Sequence, residues 1–249
     1  MVTHDLVQTD LWASSAAASA TDIQIRSSRR ARRLGMRVSR TGRIEVVAPV
    51  RTPRVLIDAF ISQHRDWAIE RSTQALAVAP PPEAFPPVAI AFHLDGSRWR
   101  VHLAGGSGEA ALREPTPGVL QLSGTLDATA TRAVLRRWLL RRARPVFEPL
   151  LQATAAEWSI DYRSMTVRCQ RSRWGSCSSR GVINLNASLL FQRAAVVRYL
   201  MIHELTHIEH MNHSARFWRA VEARCPDWRK LDRELLQGWR SVPQWIYSK

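Results

Sequence analysis

A chain of 249 residues, 45% hydrophobic and 23% charged, has enough apolar material for a buried core and is neither a disordered nor a fibrous sequence. Three cysteines are too few and odd in number for a disulfide scaffold, which fits a reducing, cytoplasmic setting, and no run of about 18 apolar residues offers a membrane span. Lys and Arg total 36 against 21 Asp and Glu, a formal charge of +15, and Lys230 and Lys249 are the only lysines, so an arginine-borne positive field points to polyanions, nucleic acid among them, as possible partners.

In chain order, residues 1–22 read as a low-complexity tail with little to bury, and Asp5 and Asp10 stand where a secretory signal would carry basic residues. Residues 23–48 alternate as strands and read as a β-hairpin. Leu34, Met36 and Val38 lie on one side, Thr41-Gly42 makes the turn, and Ile44 to Val47 follow. The arginines at 26, 29, 30, 32, 33, 37, 40 and 43 are expected on its exposed face and loop. Thr52-Pro53 is a helix start, and Val55, Leu56, Ala59, Phe60 and Trp67 predict an amphipathic helix over 53–72. A proline-rich connection at 80–87 precedes strands expected near 89–94, 98–104 and 118–123.

From about 127 the pattern turns helical. Residues 127–157 predict one long helix with Val134, Leu135, Trp138 and Leu139 on one face, a kink at Pro145, and Arg132, Arg136, Arg137, Arg141, Arg142 and Arg144 around the rest. A strand at 164–169, a loop at 171–180, a strand at 181–187, a helix at 193–210 and a helical region at 214–238 complete the chain. The expected class is α+β. The expected domains are a disordered tail at 1–22, a β-rich region at 23–124 and a helix-rich region at 125–249, the last two together making one unit over 23–245.

The chemistry concentrates at His203-Glu204-Leu205-Thr206-His207. Histidines four apart stand one turn apart on one helix face, so two imidazoles can grip one metal ion, and Glu204 beside them can reach a water on that ion. A buried neutral histidine needs hydrogen-bond partners, so two of them beside a glutamate are poorly explained as core. A catalytic zinc needs a third ligand and an open position. His210 shares the helix face but lies roughly 10 Å further along the axis than His203, beyond the reach of one ion in a straight helix. His213 can point back if the helix ends first, with Asn212 as a left-handed stop and Ser214 capping the next helix. Glu209, Glu222 and Asp227 are weaker candidates.

Arg173-Trp174-Gly175-Ser176-Cys177-Ser178, Ile183-Asn184-Leu185-Asn186, His203 to His207, Asn212-His213-Ser214 and Phe217-Trp218 together resemble the YgjP-like metallopeptidases (the DUF45 family), relatives of the SprT and WLM zinc proteases. The resemblance runs from about Arg29 to Trp239. It implies a zincin-like core with an HExxH helix, preceded by a small β-rich unit. It also implies zinc held by His203, His207 and His213, with Glu204 as general base, in an enzyme that cleaves peptide or protein substrates. Kinship with SprT and WLM proteases, with the basic charge, raises the alternative of a DNA-associated protease acting on DNA-bound or crosslinked proteins.

Zinc proteases often hold substrate as an added strand, and 181–187 is the expected edge for it. Arg173, Trp174, Asn184 and Tyr199 are the candidate substrate-binding residues: Arg173 or Tyr199 to stabilise the oxyanion, and Trp174 either shaping the cleft or packing in the core. Cys177 is expected to be a small buried residue, and Phe217 and Trp218 to lock the last helical region onto the metal helix.

Overall fold

A computed structural model describes residues 23–39, 42–77 and 84–248. The expected tail at 1–22, the turn residues Arg40 and Thr41, and part of the proline-rich connection lie outside the described residues. Contacts divide the chain between Pro81 and Pro82 into two compact units.

In the first unit, β1 (Ile23–Ser28), β2 (Gly35–Val38) and β3 (Ile44–Pro49) form one sheet with β3 in the middle. Ile44, Val46 and Ala48 alternate into the interior, the two-residue period of a half-buried strand. The hairpin holds for β2 and β3, which pair antiparallel with Met36 opposite Val46. β1 departs from it by pairing parallel to the other edge of β3, Ile25 opposite Val46. Glu45 on β3 accepts from Arg26 at 2.7 Å and from Arg37 at 2.6 Å, so two of the expected surface arginines are ion-paired across the sheet.

Helix α1 (Arg54–Ala77) packs on that sheet, but through a different face from the expected one. Ile57, Ala68 and Ser72 are buried and Phe60 and Ile61 half-buried, whereas Val55, Leu56 and Trp67 stand 76%, 56% and 45% exposed. Apolar residues lie nearly all around the first two turns, so local spacing could not choose the side that meets the sheet. Ser72 helps fix it, donating to the Gly42 carbonyl at 2.6 Å.

The second unit opens with β4 (Ala89–Ala91), β5 (Arg98–Gly105), β6 (Ala111–Arg113) and β7 (Val119–Ser123), in the order β4-β5-β7-β6. Helix α2 (Ala128–Glu157) follows. Asp127 caps its start by accepting from the backbone of Thr129 and Ala130 at 2.9 Å each. It runs as one helix through Pro145 and Pro149. Its buried stripe, Val134, Leu135, Trp138, Leu139, Ala143, Phe147 and Leu151, contributes to one core with Trp99, Leu120 and Leu122 of the preceding sheet. Trp138 meets Trp99 edge-on at 5.3 Å and stacks near Phe92 at 5.8 Å. Composition changes near 124, but strands and helix bury their apolar faces against each other across that point, and the contacts divide the chain at 81/82 instead.

The α2 arginines are not one open face either. Arg136 donates to the carbonyls of Ile246 at 2.8 Å, Trp245 at 3.3 Å and Ser248, Arg142 pairs with Asp95, and Arg144 lies 3.9 Å from Glu148. Arg136 and Arg142 thereby fasten the C-terminal segment and the β4–β5 connection to the helix, whereas the Arg144 pair lies within it.

A second sheet, β8 (Ser164–Arg168), β9 (Gly175–Cys177) and β10 (Val182–Asn186), has the order β8-β10-β9. β10 pairs parallel to β8 and antiparallel to β9, so the segment expected at the edge is the middle strand. β9, which falls in the segment expected as a loop, is an edge. Helices α3 (Ala194–Glu209), α4 (Ala215–Arg224) and α5 (Trp228–Gln237) follow. Pro226 cannot continue a helix, so the expected helical region breaks between α4 and α5. Among the described residues no helix is long and apolar enough to cross a membrane.

Candidate metal centre

Helix α3 is apolar along the side that meets the core: Val196, Val197, Leu200, Met201 and Leu205 are buried. Its last turns carry His203, Glu204 and His207. The helix ends at Glu209, and His210 takes an extended conformation, φ −137° and ψ 92°. That turn brings His213 back. Donor atoms of His203, His207 and His213 all lie within 4.8 Å of one another. The turn is not made as expected. Among the described residues Ser159 is the only non-glycine with positive φ, so Asn212 is not a left-handed stop. Its Oδ1 instead accepts from the Ser214 N–H at 3.3 Å, and Ser214 sits at the N-cap of α4 without a side-chain capping bond.

The donor set fits one divalent ion. The Nε2 atoms of His203 and His213 are 3.1 Å apart, and two ligands each about 2.0–2.1 Å from a tetrahedral ion sit about 3.3 Å apart. His207 Nδ1 is 3.1 Å from the His210 carbonyl, which makes that nitrogen the donor and leaves Nε2 free to ligate. His210 therefore contributes through its backbone. His203 Nδ1 is buried with no protein partner, so packing holds this ring: Phe217 meets it at 4.9 Å and Tyr199 at 6.0 Å. Burial, then the neighbouring imidazoles His207 and His213, push His203 down to about 3, and burial also lowers His207. Both shifts favour the neutral imidazole, the form a metal requires.

Glu204 is 5% exposed and lines the same cleft as the three histidines. Burial raises its carboxyl to about 8, against the opposing pull of the Cys177 backbone N–H and the Arg173 guanidinium. The cleft encloses about 300 Å³, with β9 and Met211 supplying the remaining walls. Met211, 52% exposed, gives the cleft an apolar side. Cys177 is half-buried, and its thiol is pushed up to about 11, first by burial and then by Glu204.

The substrate candidates separate. Arg173 is exposed, and its charge reaches Glu204. Trp174 is core, 6% exposed and stacked on Trp239 at 4.0 Å. Asn184 is held inside the sheet, accepting from Thr166 Oγ1 and donating to Ser176 Oγ at 3.3 Å. Tyr199 is 1% exposed and donates its hydroxyl to Asp232 Oδ1 at 2.8 Å, which ties α3 to α5 and removes it from the oxyanion role. Phe217 and Trp218 do more than pack helices. Phe217 stacks on His207 at 4.5 Å, and Trp218 lies between His213 at 5.6 Å and Trp228 at 4.3 Å, forming an aromatic wall behind the imidazoles. Gly175, Cys177 and Met211 were not singled out for this site from the sequence. The arginine-tryptophan-glycine-serine-cysteine run was a signal, but it does not say which of its members faces the helix.

A family model described as YgjP-like, metallopeptidase domain, matches residues 32–237. No curated protein matches the chain. Among solved structures, the metallopeptidase zymogen abylysin of Pyrococcus abyssi is 24% identical, with 36% of this chain and 91% of that one aligned at a TM-score of 0.34. The zymogen jannalysin of Methanocaldococcus jannaschii is 16% identical, with 37% and 95% aligned at 0.32.

Proposed function

The chain belongs to the YgjP-like metallopeptidase family, and from that premise we propose that it is a zinc peptidase with a zincin-like core. In this reading His203, His207 and His213 hold the ion and Glu204 is the general base. The observation that carries it is the convergence of three imidazoles within 4.8 Å, beside a buried carboxylate, in a cleft bordered by a strand edge. Three converging imidazoles are a donor set that suits zinc of the catalytic kind, in which three protein ligands leave a fourth position for water or substrate. When bound, the metal supplies a Lewis acid that polarises the scissile carbonyl and lowers the pKa of water.

The chain's own residues do the rest. β9 offers its free edge to an extended peptide, which would add as a strand through backbone hydrogen bonds. Glu204 accepts a proton from the attacking water and passes it to the leaving amine. Arg173 is a cation whose charge reaches Glu204 and is our candidate for the developing oxyanion, since the Tyr199 hydroxyl is committed to Asp232. The test is metal analysis after reconstitution at neutral pH. About one zinc per chain is expected, with cleavage of a casein-like substrate lost to a chelator and restored by zinc. A chain that takes up no metal would overturn the reading.

A second reading, in which the peptidase is held on nucleic acid, has its own observation. Arg29, Arg30, Arg32 and Arg33 stand exposed on the β1–β2 connection, and among the described residues no carboxylate pairs with them. Each phosphate they neutralise would contribute about −0.9 to the slope of log K against log salt. A salt titration on a short duplex and a single strand should give a steep slope. Changing these four arginines to serine should flatten it. Absence of binding at about 50 mM salt, or an unchanged slope, leaves them a solvated loop.

A further inference from the structure

Gly175 stands on β9 directly against Glu204. A Cβ built on it would lie 2.7 Å from Glu204 Oε1, 3.0 Å from Cγ and 3.1 Å from Cδ, the first closer than carbon and oxygen can approach. Its backbone is not the reason for the glycine. Gly175 is absent from the glycines with positive φ, so an L side chain suits its conformation, and the nearest atoms that a Cβ would meet all belong to the Glu204 side chain. Nor can the carboxylate simply swing away. Glu204 is buried on α3, the Cys177 backbone N–H hydrogen-bonds it from two residues along the same strand, and β9 is fixed by pairing Gly175 with Leu185 and Cys177 with Ile183.

We infer that Gly175 is a positioning residue for Glu204: the missing side chain on the edge strand sets the depth at which the carboxylate sits beside the histidines. The inference rests on the reading of Glu204 as general base. A Cβ at 175 must push the carboxylate from its seat, while the three imidazoles, carried by α3 and the turn after it, are left in place. Proton transfer depends steeply on such placement, and a shift of about 1 Å can cost on the order of a hundredfold.

In the full-length, zinc-loaded chain, Gly175→Ala should lower kcat at least about tenfold with little change in KM and unchanged zinc per chain. Two couplings identify Glu204 as the partner. Glu204→Asp, one methylene shorter, should cost less kcat in the Gly175→Ala background than in the natural one. In thermal unfolding of the metal-free chain, any fall in Tm from Gly175→Ala should vanish when Glu204→Ala is also present. Wild-type kcat in Gly175→Ala alongside an inactive Glu204→Gln would overturn the inference and leave the general-base reading standing. So would a loss of Tm that persists in the Glu204→Ala background, which would place the clash elsewhere. An active Glu204→Gln would instead remove the general-base reading itself.

Discussion

Glu204→Gln is expected to keep its metal and lose hydrolysis by a factor on the order of 10² or more. The carboxylate is not one of the three converging ligands, so metal content should be unchanged. Glutamine has the same shape and fits the narrow seat against Gly175, so the fold should not respond. What it lacks is basicity, because an amide cannot take the proton of the attacking water. In the metal-free chain burial favours the neutral acid, and a dication among the imidazoles pulls the other way, toward the charged base. Zinc per chain and kcat on a casein-like substrate check both halves. Full activity in this variant would show that another group takes the proton.

The second large effect separates two neighbouring histidines. His213→Ala removes one of the three donors and should weaken zinc by at least about a hundredfold, since losing even an indirect supporting partner costs about 10–100-fold. His210→Ala should change little. The His210 contact with the site is its backbone carbonyl on His207 Nδ1, and alanine keeps that carbonyl. Competition with a chromogenic chelator measures both. The reverse ranking would mean that the turn after α3 does not deliver His213.

Both expectations are partly legible in the sequence, and the reason is local geometry. A four-residue spacing fixes one helical face wherever the helix lies, so His203 and His207 had to be neighbours once 193–210 was read as a helix. The distance argument against His210 needed only the rise per residue. The apolar stripe read over 127–157 places the start of α2 to within one residue, and alternation marks β3. The family resemblance was carried by contiguous motifs in the same way.

The rest depended on pairing between distant segments. Whether 181–187 is an edge is decided by who flanks it, and β8 and β9 reach it from either side. The two-residue alternation is the same in an edge and a middle strand, so no pattern within the segment could tell. α1 buries Ile57 rather than Val55 and Leu56 because the sheet selects one of several apolar sides. Tyr199 looked available for catalysis until Asp232, 33 residues further on, took its hydroxyl. Gly175 belongs to a motif legible in sequence, but its consequence is spatial, because an absent side chain matters only once another group occupies its volume. The sequence by itself determined the helical histidine pair and the carboxylate between them, both set by spacing within a segment. The tertiary structure alone decided which strand edge borders the cleft, how His213 returns and what confines Glu204, since these are contacts between segments that only the packed chain brings together.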